Sequence, residues 1–321
     1  MRLLRKPVRL ATRNSVRKKI KSMGIWKWAF ATSAITGIAV IGALVVWPIG
    51  QDVSPITLTG NVKKGGYLAR ASGCIACHTN FEGGGKPLAG GVKLVTPFGA
   101  LYSANLTSDP EFGIGGWTAE EFAKAVRQGI SPEGEPYYPA FTYPFYANFS
   151  DQDIADLYAA FQTVKAVPEA APANEMPFPF NQRWGLKVWR AAFLKPPATD
   201  PISGQDPEWN RGRELVGGAT HCAACHTSRN FIGARKSADE HFAGNPSLPG
   251  GSKAPAIDYK TLRKRDWTVD SLAYALKTGI MPDGDTFGGS MSEVVQQGTR
   301  FLTNKDRRAM AVYLMDDHSG G

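Results

Sequence analysis

The chain has few cysteines and histidines, and its first stretch has no acidic residue. Its 321 residues include only 4 cysteines and 5 histidines, which excludes a disulfide-dense secreted scaffold. A charged fraction of 20% with 11% aromatic residues excludes a disordered protein. The sequence contains no nucleotide-binding G-x-G-x-x-G motif, P-loop or nucleophile triad that would indicate an independent enzyme. The length is sufficient for two ordinary domains, each with its own core.

The positive charge is confined to the N-terminus. Ten of the 37 Lys and Arg residues precede Trp28, and the first acidic residue is Asp52. The remainder has 27 basic and 28 acidic residues. The formal net charge of +9 therefore belongs to the tail, and no nucleic-acid partner is predicted.

An uncharged stretch of nineteen residues, Ala29 to Trp47, follows the basic tail. As a helix it would cover roughly 28 Å, close to the hydrocarbon thickness of a bilayer. Flanking tryptophans and the one-sided cations predict an uncleaved transmembrane signal-anchor over residues 29–49 of a single-pass protein of the cytoplasmic (inner) membrane. The basic tail, residues 1–28, would then be cytoplasmic and the rest periplasmic. A cleaved signal peptide is the alternative, although no small-x-small cleavage site is evident.

All four cysteines fall in two copies of one pattern, C-x-x-C-H. The copies are Cys74-Ile-Ala-Cys77-His78 and Cys222-Ala-Ala-Cys225-His226, each followed by Thr. This pattern is the attachment signature of c-type haem: the thiols form thioethers with the haem vinyls and the histidine ligates the iron. Two covalently bound haem c groups are therefore predicted. A Cys₄ zinc site or a thioredoxin-like motif does not explain a histidine after each pair.

The chain also contains an internal repeat. Residues Trp117–Gly134 align with Trp267–Gly284 at a constant offset of 150. Each copy is predicted to be a helix with a threonine N-cap (Thr118, Thr268) and a glycine at its end (Gly129, Gly279). A capping box is expected in the first copy only, through Glu121. Each copy then ends in a helix that opens with Ser150 or Thr303 and has an acid three residues later.

The repeat predicts an all-α fold in which no strand series is expected. The chain is expected to contain two tandem class I cytochrome c domains, residues 60–166 and 208–318, after the N-terminal transmembrane helix. Between them lies a linker, residues 167–207, rich in proline. Within it Leu186, Trp189 and Phe193 form a helical apolar stripe. This amphipathic helix is interpreted either as a strap across the two domains or as a docking surface for a partner subunit.

The sixth iron ligand is expected to differ between the two domains. In the second, Met291 is favoured over Met281, because it lies in a loop between the two predicted helices. The equivalent position in the first domain is Phe141, and no methionine lies between His78 and Met176. The first iron is therefore expected to be five-coordinate, water-bound or held by a side chain nearby, the candidates being Lys86, Lys93, Tyr138, Tyr143 and Met176. The second haem should have the higher reduction potential.

Several further segments resemble a known family. These are Tyr102–Pro110, Gly113–Trp117, the Tyr-Pro-Ala-x-x-Tyr loop from Tyr138 and Phe178–Trp184. Together they are similar to the cytochrome c subunits of membrane-bound bacterial dehydrogenases for alcohols, aldehydes, sugars or sugar acids. The family's subunits commonly carry three haems, are often anchored at the C-terminus and usually have Met where Phe141 stands.

The resemblance implies a role in electron transfer rather than catalysis. A flavin, quinoprotein or molybdenum dehydrogenase subunit would supply electrons, and quinone or a terminal oxidase in the membrane would accept them. Two other functions stay open from the sequence: a di-haem subunit of a terminal oxidase, and a di-haem peroxidase with an open first haem.

Overall fold

The computed structural model describes residues 28, 30, 32–33, 35–236 and 240–317. The predicted basic tail lies outside them except for Trp28. Residues 35–46 are helical, and contacts divide the chain after Pro48 into this N-terminal unit and a second unit from Ile49 onward. None of the helices in the described parts is both long and apolar enough to span a bilayer. The transmembrane anchor over 29–49 stays a prediction.

The second unit is built mainly of helices. In its first half they are α1 Val62–Ala71, α2 Cys74–His78, α3 Ala119–Gln128, α4 Tyr143–Tyr146 and α5 Asp151–Gln162. A linker helix follows, α6 Trp184–Phe193. The second half contains α7 Pro207–Glu214, α8 Ala223–His226, α9 Tyr259–Lys264, α10 Val269–Thr278, α11 Gly289–Gln297 and α12 Asn304–Leu314. A π-helical turn, Leu215–Ala219, joins α7 to the segment before α8.

Each half is organised around one crossing of its first and last long helices. In the first half α1 packs on α5, and a Cβ added to Gly65 would overlap the Asp156 carbonyl oxygen. In the second half α7 packs on α12, and a Cβ added to Gly212 would overlap the Ala309 carbonyl oxygen. Glycine at both crossings lets the backbones approach more closely than any side chain would permit.

The predicted helix ends are largely confirmed. Thr118 and Thr268 cap α3 and α10, and Gly129 and Gly279 end them in the left-handed conformation, with φ of 63° and 80°. The expectation that only the first copy has a capping box is wrong. In α10 the Ser271 hydroxyl accepts a hydrogen bond from the Thr268 backbone N–H, as a carboxylate would, and completes a second box.

The described residues are mainly helical, in line with the all-α prediction, but one short hairpin departs from it. Strands β1 Lys93–Thr96 and β2 Gly99–Tyr102 pair antiparallel, with Lys93 opposite Tyr102 and Thr96 opposite Gly99. Two residues, Pro97 and Phe98, form the turn. The hairpin is extended by the linker, since the backbones of Ala100 and Glu175 exchange two hydrogen bonds. Part of the proline-rich linker is therefore fixed on the first half.

The linker helix α6 contacts both halves of the unit. The Trp189 indole N–H donates to the carbonyl oxygen of Ile232 at 3.0 Å. On the next residue, the Arg190 guanidinium lies 5.1 Å from the ring centre of Tyr143. None of the residues in this helix, all of them described, is fully buried. These contacts favour the strap interpretation for this segment.

The apolar core crosses from one half to the other. One cluster of buried residues lies within the first half, around Ile114, Phe122 and Ile154. The larger cluster lies mainly in the second half but includes Ala71, Phe145 and Tyr146 of the first half. The two halves therefore share buried apolar surface.

A buried carboxylate links three helices across this boundary. Asp306 on α12 accepts two hydrogen bonds from Arg211 on α7, at 2.9 and 3.2 Å, and a third from the Tyr67 hydroxyl on α1. Burial alone would raise the pKa of Asp306, but the hydrogen bonds from Arg211 and Tyr67 outweigh it, so the pKa is lowered. The group is thus a carboxylate that stabilises the contact between the halves.

Replacing Asp306 by Asn is expected to lower the free energy of unfolding at neutral pH by about 2 kcal/mol, because Arg211 and Tyr67 lose a charged acceptor. Since the folded-state pKa is the lower one, the contribution of Asp306 is present above the ordinary carboxyl pKa of about 3.9 and is lost as the pH falls through the folded value. Urea unfolding, at neutral pH and in steps into the acid range, measures both effects. Glu169→Gln is the control, because its ion pair with Lys86 is exposed and contributes less than about 1 kcal/mol. Equal effects of the two substitutions would contradict this account.

Candidate haem sites

The first C-x-x-C-H motif forms one turn of helix. Residues Cys74–His78 are α2, which follows Gly73 in the left-handed conformation at φ 66°. On one turn the two thiols, three residues apart, project from the same face. Burial raises the pKa of the Cys74 thiol to about 12. Cys77 is exposed by surface area, yet the protein around it desolvates the thiol enough to raise its pKa to about 11.

The second motif repeats this arrangement. Cys222 is the N-cap of α8, and Cys225 and His226 lie on its turn. Burial raises the pKa of Cys222 to about 11 and also raises that of Cys225. All four cysteines lie among the described residues, and each is a free thiol. Each pair therefore lies side by side on a helical turn, and none of the four forms a disulfide.

Each motif histidine is oriented by a hydrogen bond to a backbone carbonyl. Nδ1 of His78 lies 2.7 Å from the Ala104 oxygen, and Nδ1 of His226 lies 2.8 Å from the Pro255 oxygen. Because a carbonyl can only accept, Nδ1 carries the proton and Nε2 keeps its lone pair. Burial lowers the pKa of both imidazoles, which favours the neutral form. A neutral imidazole with Nδ1–H held by a carbonyl is the form that ligates a metal through Nε2.

This donor set fits haem c at both motifs. Two thiols on one turn, followed by an imidazole with Nε2 available, are the groups that covalent haem attachment and axial ligation require. The structure thus brings together the predicted cysteines and histidine of each motif.

The repeat extends beyond the motifs into loops that the sequence reasoning did not align. The threonine after each motif accepts a backbone hydrogen bond: Thr79 from Leu88 at 3.0 Å, and Thr227 from Phe242 at 3.1 Å. Leu88 and Phe242 both adopt positive φ, at 59° and 60°. The threonine after each motif is the only feature of the sequence that indicates this repeat. Its hydrogen-bond partner lies nine residues away in the first half and fifteen in the second, so the two loops do not align.

The prediction that Met291 lies in a loop is wrong. Met291 lies in the first turn of α11, which begins at Gly289. A glycine pair suggested a loop, whereas Gly289 adopts φ 53° and starts the helix. Met291 and its rival Met281 are both half-buried against the larger core cluster. Met310 is fully buried in that cluster.

Phe141, at the equivalent position of the first half, belongs to an aromatic group. Its ring centre lies 5.8 Å from that of Tyr137, 5.9 Å from Tyr143 and 6.2 Å from Tyr146. The position is therefore filled by aromatic packing.

Four of the five other candidate ligands of the first iron either have a polar partner or lie beside the hairpin. Lys86 and Lys93 form ion pairs with Glu169 and Glu175, at 2.6 and 3.0 Å. Tyr138 donates to the Phe180 oxygen at 2.9 Å. The Met176 sulfur lies beside Gly99 on the hairpin. Tyr143 is fully buried within the aromatic group.

Comparison with known proteins gives consistent results. No protein-family profile matches the chain. It is 38% identical over 290 residues to the "Diheme cytochrome c-type" of Cereibacter sphaeroides, covering 88% of this chain and 96% of that protein. It is 41% identical over 262 residues to the "Alcohol dehydrogenase (quinone), cytochrome c subunit" of Gluconobacter oxydans, covering 79% and 54%. It is 39% identical over 296 residues to a nicotinate dehydrogenase subunit of Pseudomonas putida, covering 90% and 24%.

The chain thus spans nearly all of the first relative, about half of the second and about a quarter of the third. A gluconate 2-dehydrogenase cytochrome c subunit of Pantoea cypripedii is 38% identical over 285 residues. Cytochromes of the c type carry haem at C-x-x-C-H motifs, and this chain has two such motifs. The chain belongs to this family of c-type cytochromes, which includes a dihaem cytochrome and the cytochrome c subunits of bacterial dehydrogenases.

Proposed function

We propose that the protein binds two haem c groups and transfers electrons from the catalytic subunit of a dehydrogenase to the respiratory chain of the inner membrane. Cys74, Cys77 and His78 would hold the first haem. Cys222, Cys225 and His226 would hold the second. The observation that carries the proposal is the pair of Nδ1–carbonyl hydrogen bonds, which leave Nε2 of each motif histidine available to an iron.

Bound haem supplies reversible one-electron iron chemistry, and the protein sets its potential and accessibility. His78 and His226 would each provide an imidazole ligand to the iron, and their hydrogen bonds to carbonyl oxygens would increase the basicity of Nε2. In the first domain, the packed aromatic group around Phe141 occupies the position that corresponds to Met291. In the second, Met291 is proposed as the thioether ligand, with Met281 as the rival. The first haem is proposed to lack a methionine ligand.

The partner is proposed from the relatives' names and from the sequence. Several relatives are cytochrome subunits of alcohol, gluconate or fructose dehydrogenases. The proposed arrangement has an N-terminal anchor over residues 29–49, a cytoplasmic tail, and periplasmic domains over 60–166 and 208–318. The uncharged stretch and the ten preceding cations support this arrangement. Quinone or a terminal oxidase would be the acceptor.

The partner proposal is tested on the full-length protein isolated from membranes of its own host. Copurification of a dehydrogenase subunit, with substrate-dependent reduction of the haem absorbance, is the expected result. Copurification of a haem–copper oxidase in its place, or peroxide turnover by the cytochrome alone, would contradict the proposal and support one of the two alternatives.

Removing one cysteine pair is expected to remove one haem and leave the other. We expect Cys74→Ala with Cys77→Ala, and separately Cys222→Ala with Cys225→Ala, each to halve the covalent haem content, because each motif binds its own group. Intact mass and haem absorbance after denaturation measure this, in a host with a cytochrome maturation system. Each variant is the control for the other. A wild-type chain that weighs no more than its amino acids would overturn the function.

Replacing Met291 by Leu is expected to lower the reduction potential of one haem and abolish the spectral features of methionine ligation. Met281→Leu is the matched control, because Met281 is also half-buried against the larger core cluster. This substitution should leave the reduction potential and the spectral features of methionine ligation unchanged. Redox titration and EPR of the purified protein measure the effects. The reverse outcome would assign the ligand to Met281, and two identical low-spin His/Met signals in the wild type would refute the asymmetry between the haems.

A further inference from the structure

The residues that precede the two motifs meet in the interior. The backbone of Gly73, directly before the first motif, lies against the imidazole of His221, directly before the second. Ala71 and Tyr146, from the first half, belong to the same buried cluster as Ala223, from the second. The two attachment turns are therefore neighbours across the contact between the halves.

The residue directly before each motif takes a left-handed conformation. Gly73 precedes Cys74 at φ 66°, and His221 precedes Cys222 at φ 38°. Glycine adopts this conformation without steric penalty, whereas an L-residue with a Cβ is strained in it. The second half therefore carries a histidine where glycine would be less strained, and such strain often accompanies a functional constraint.

The imidazole of His221 packs on the other motif. Its Cε1 atom would lie 3.3 Å from a Cβ placed on Gly73, so the ring lies against the Gly73 backbone. Its Nδ1 donates to the Ala219 carbonyl at 2.9 Å, which fixes the ring to its own loop. The side chain thus fills the contact between the two equivalent positions.

Tyr146 completes the contact from the side. Its ring is edge-on to the His221 imidazole, with centres 5.8 Å apart, and its hydroxyl lies 3.4 Å from Nδ1. The same hydroxyl donates to the carbonyl oxygen of Ser72 at 2.8 Å. A continuous series of contacts therefore runs from Ser72, ahead of the first motif, through Tyr146 to His221, ahead of the second.

We propose that His221 is a positioning residue for electron transfer between the two haems, and that its imidazole sets the separation of the two attachment turns. The inference rests on the proposed binding of two haems. The step moves one electron from one haem iron to the other, so that the donor iron is oxidised and the acceptor iron reduced; no bond is made or broken and no proton is required. The residue acts through the spacing of the haems and is not itself a ligand.

The test uses His221→Gly in the isolated full-length dihaem protein, with no dehydrogenase present. Glycine accepts the left-handed backbone, so both haems should bind with unchanged absorbance. One electron per molecule is introduced by photoreduction, and its redistribution between the haems is followed by absorbance. We expect the rate to fall severalfold, and pulsed EPR of the oxidised protein to show a longer or broader distribution of inter-haem distances. A residue that only stabilised the fold would not change this distance distribution.

Two further variants make the result specific. His221→Asn also tolerates a left-handed backbone but lacks the ring, so it should behave like His221→Gly. Asp266→Gly is the matched control, because Asp266 has φ 56° and an exposed side chain after α9. It should leave the rate and the distance distribution unchanged.

The outcomes separate this inference from the proposed function. Wild-type rate and distance distribution in His221→Gly and His221→Asn would overturn the positioning role while leaving the dihaem function intact. Loss of a haem in both variants would also overturn it, since the residue would then serve folding. A wild-type protein without two haems would overturn the proposed function, and this inference with it.

Discussion

The arrangement of each site depends on one hydrogen bond, from a histidine Nδ1 to a backbone carbonyl well downstream in the chain. The carbonyl lies 26 residues after His78 and 29 residues after His226. Because a carbonyl only accepts, the bond fixes the tautomer as well as the ring orientation. Two short turns of helix thereby become sites in which thiols and an imidazole nitrogen are presented together. Each threonine-bound loop supports this carbonyl, because the backbone N–H two residues beyond it donates to Leu88 in the first half and to Phe242 in the second.

The same plan occurs twice, and the differences between the copies are informative. At both helix crossings a glycine permits close approach, and at both motifs the histidine is held alike. The two copies carry different residues at two equivalent positions. Phe141 stands where the second half has Met291, and Gly73 stands where the second half has His221. The first difference lies at the position proposed for a methionine ligand in the second half, and the second lies at the contact between the halves.

Local features were predictable from the sequence because they depend on residues a few positions apart. The caps at Thr118 and Thr268 and the glycine ends of α3 and α10 are of this kind. The haem motifs are also local, with each cysteine pair and histidine on one turn. The capping box at Ser271 was missed because a hydroxyl serves there in the role expected of an acid.

Features that depend on distant partners could not be predicted in this way. The hairpin of β1 and β2 gains a further pairing from Glu175, some seventy residues away. The start of α11 at Gly289 depends on a positive φ that a glycine pair equally allows in a loop. His221 was overlooked because its partners, Gly73 and Tyr146, belong to the other half, and only the fold brings them together.

The shared apolar core has a consequence for how the protein comes apart. Ala71, Phe145 and Tyr146 are buried by residues of the second half, so separating the halves would expose apolar surface on both sides. Cutting the linker would therefore not release two independently folded halves. The two halves should unfold in one cooperative transition. If part of this chain were moved into another protein, only the two halves together would keep their fold.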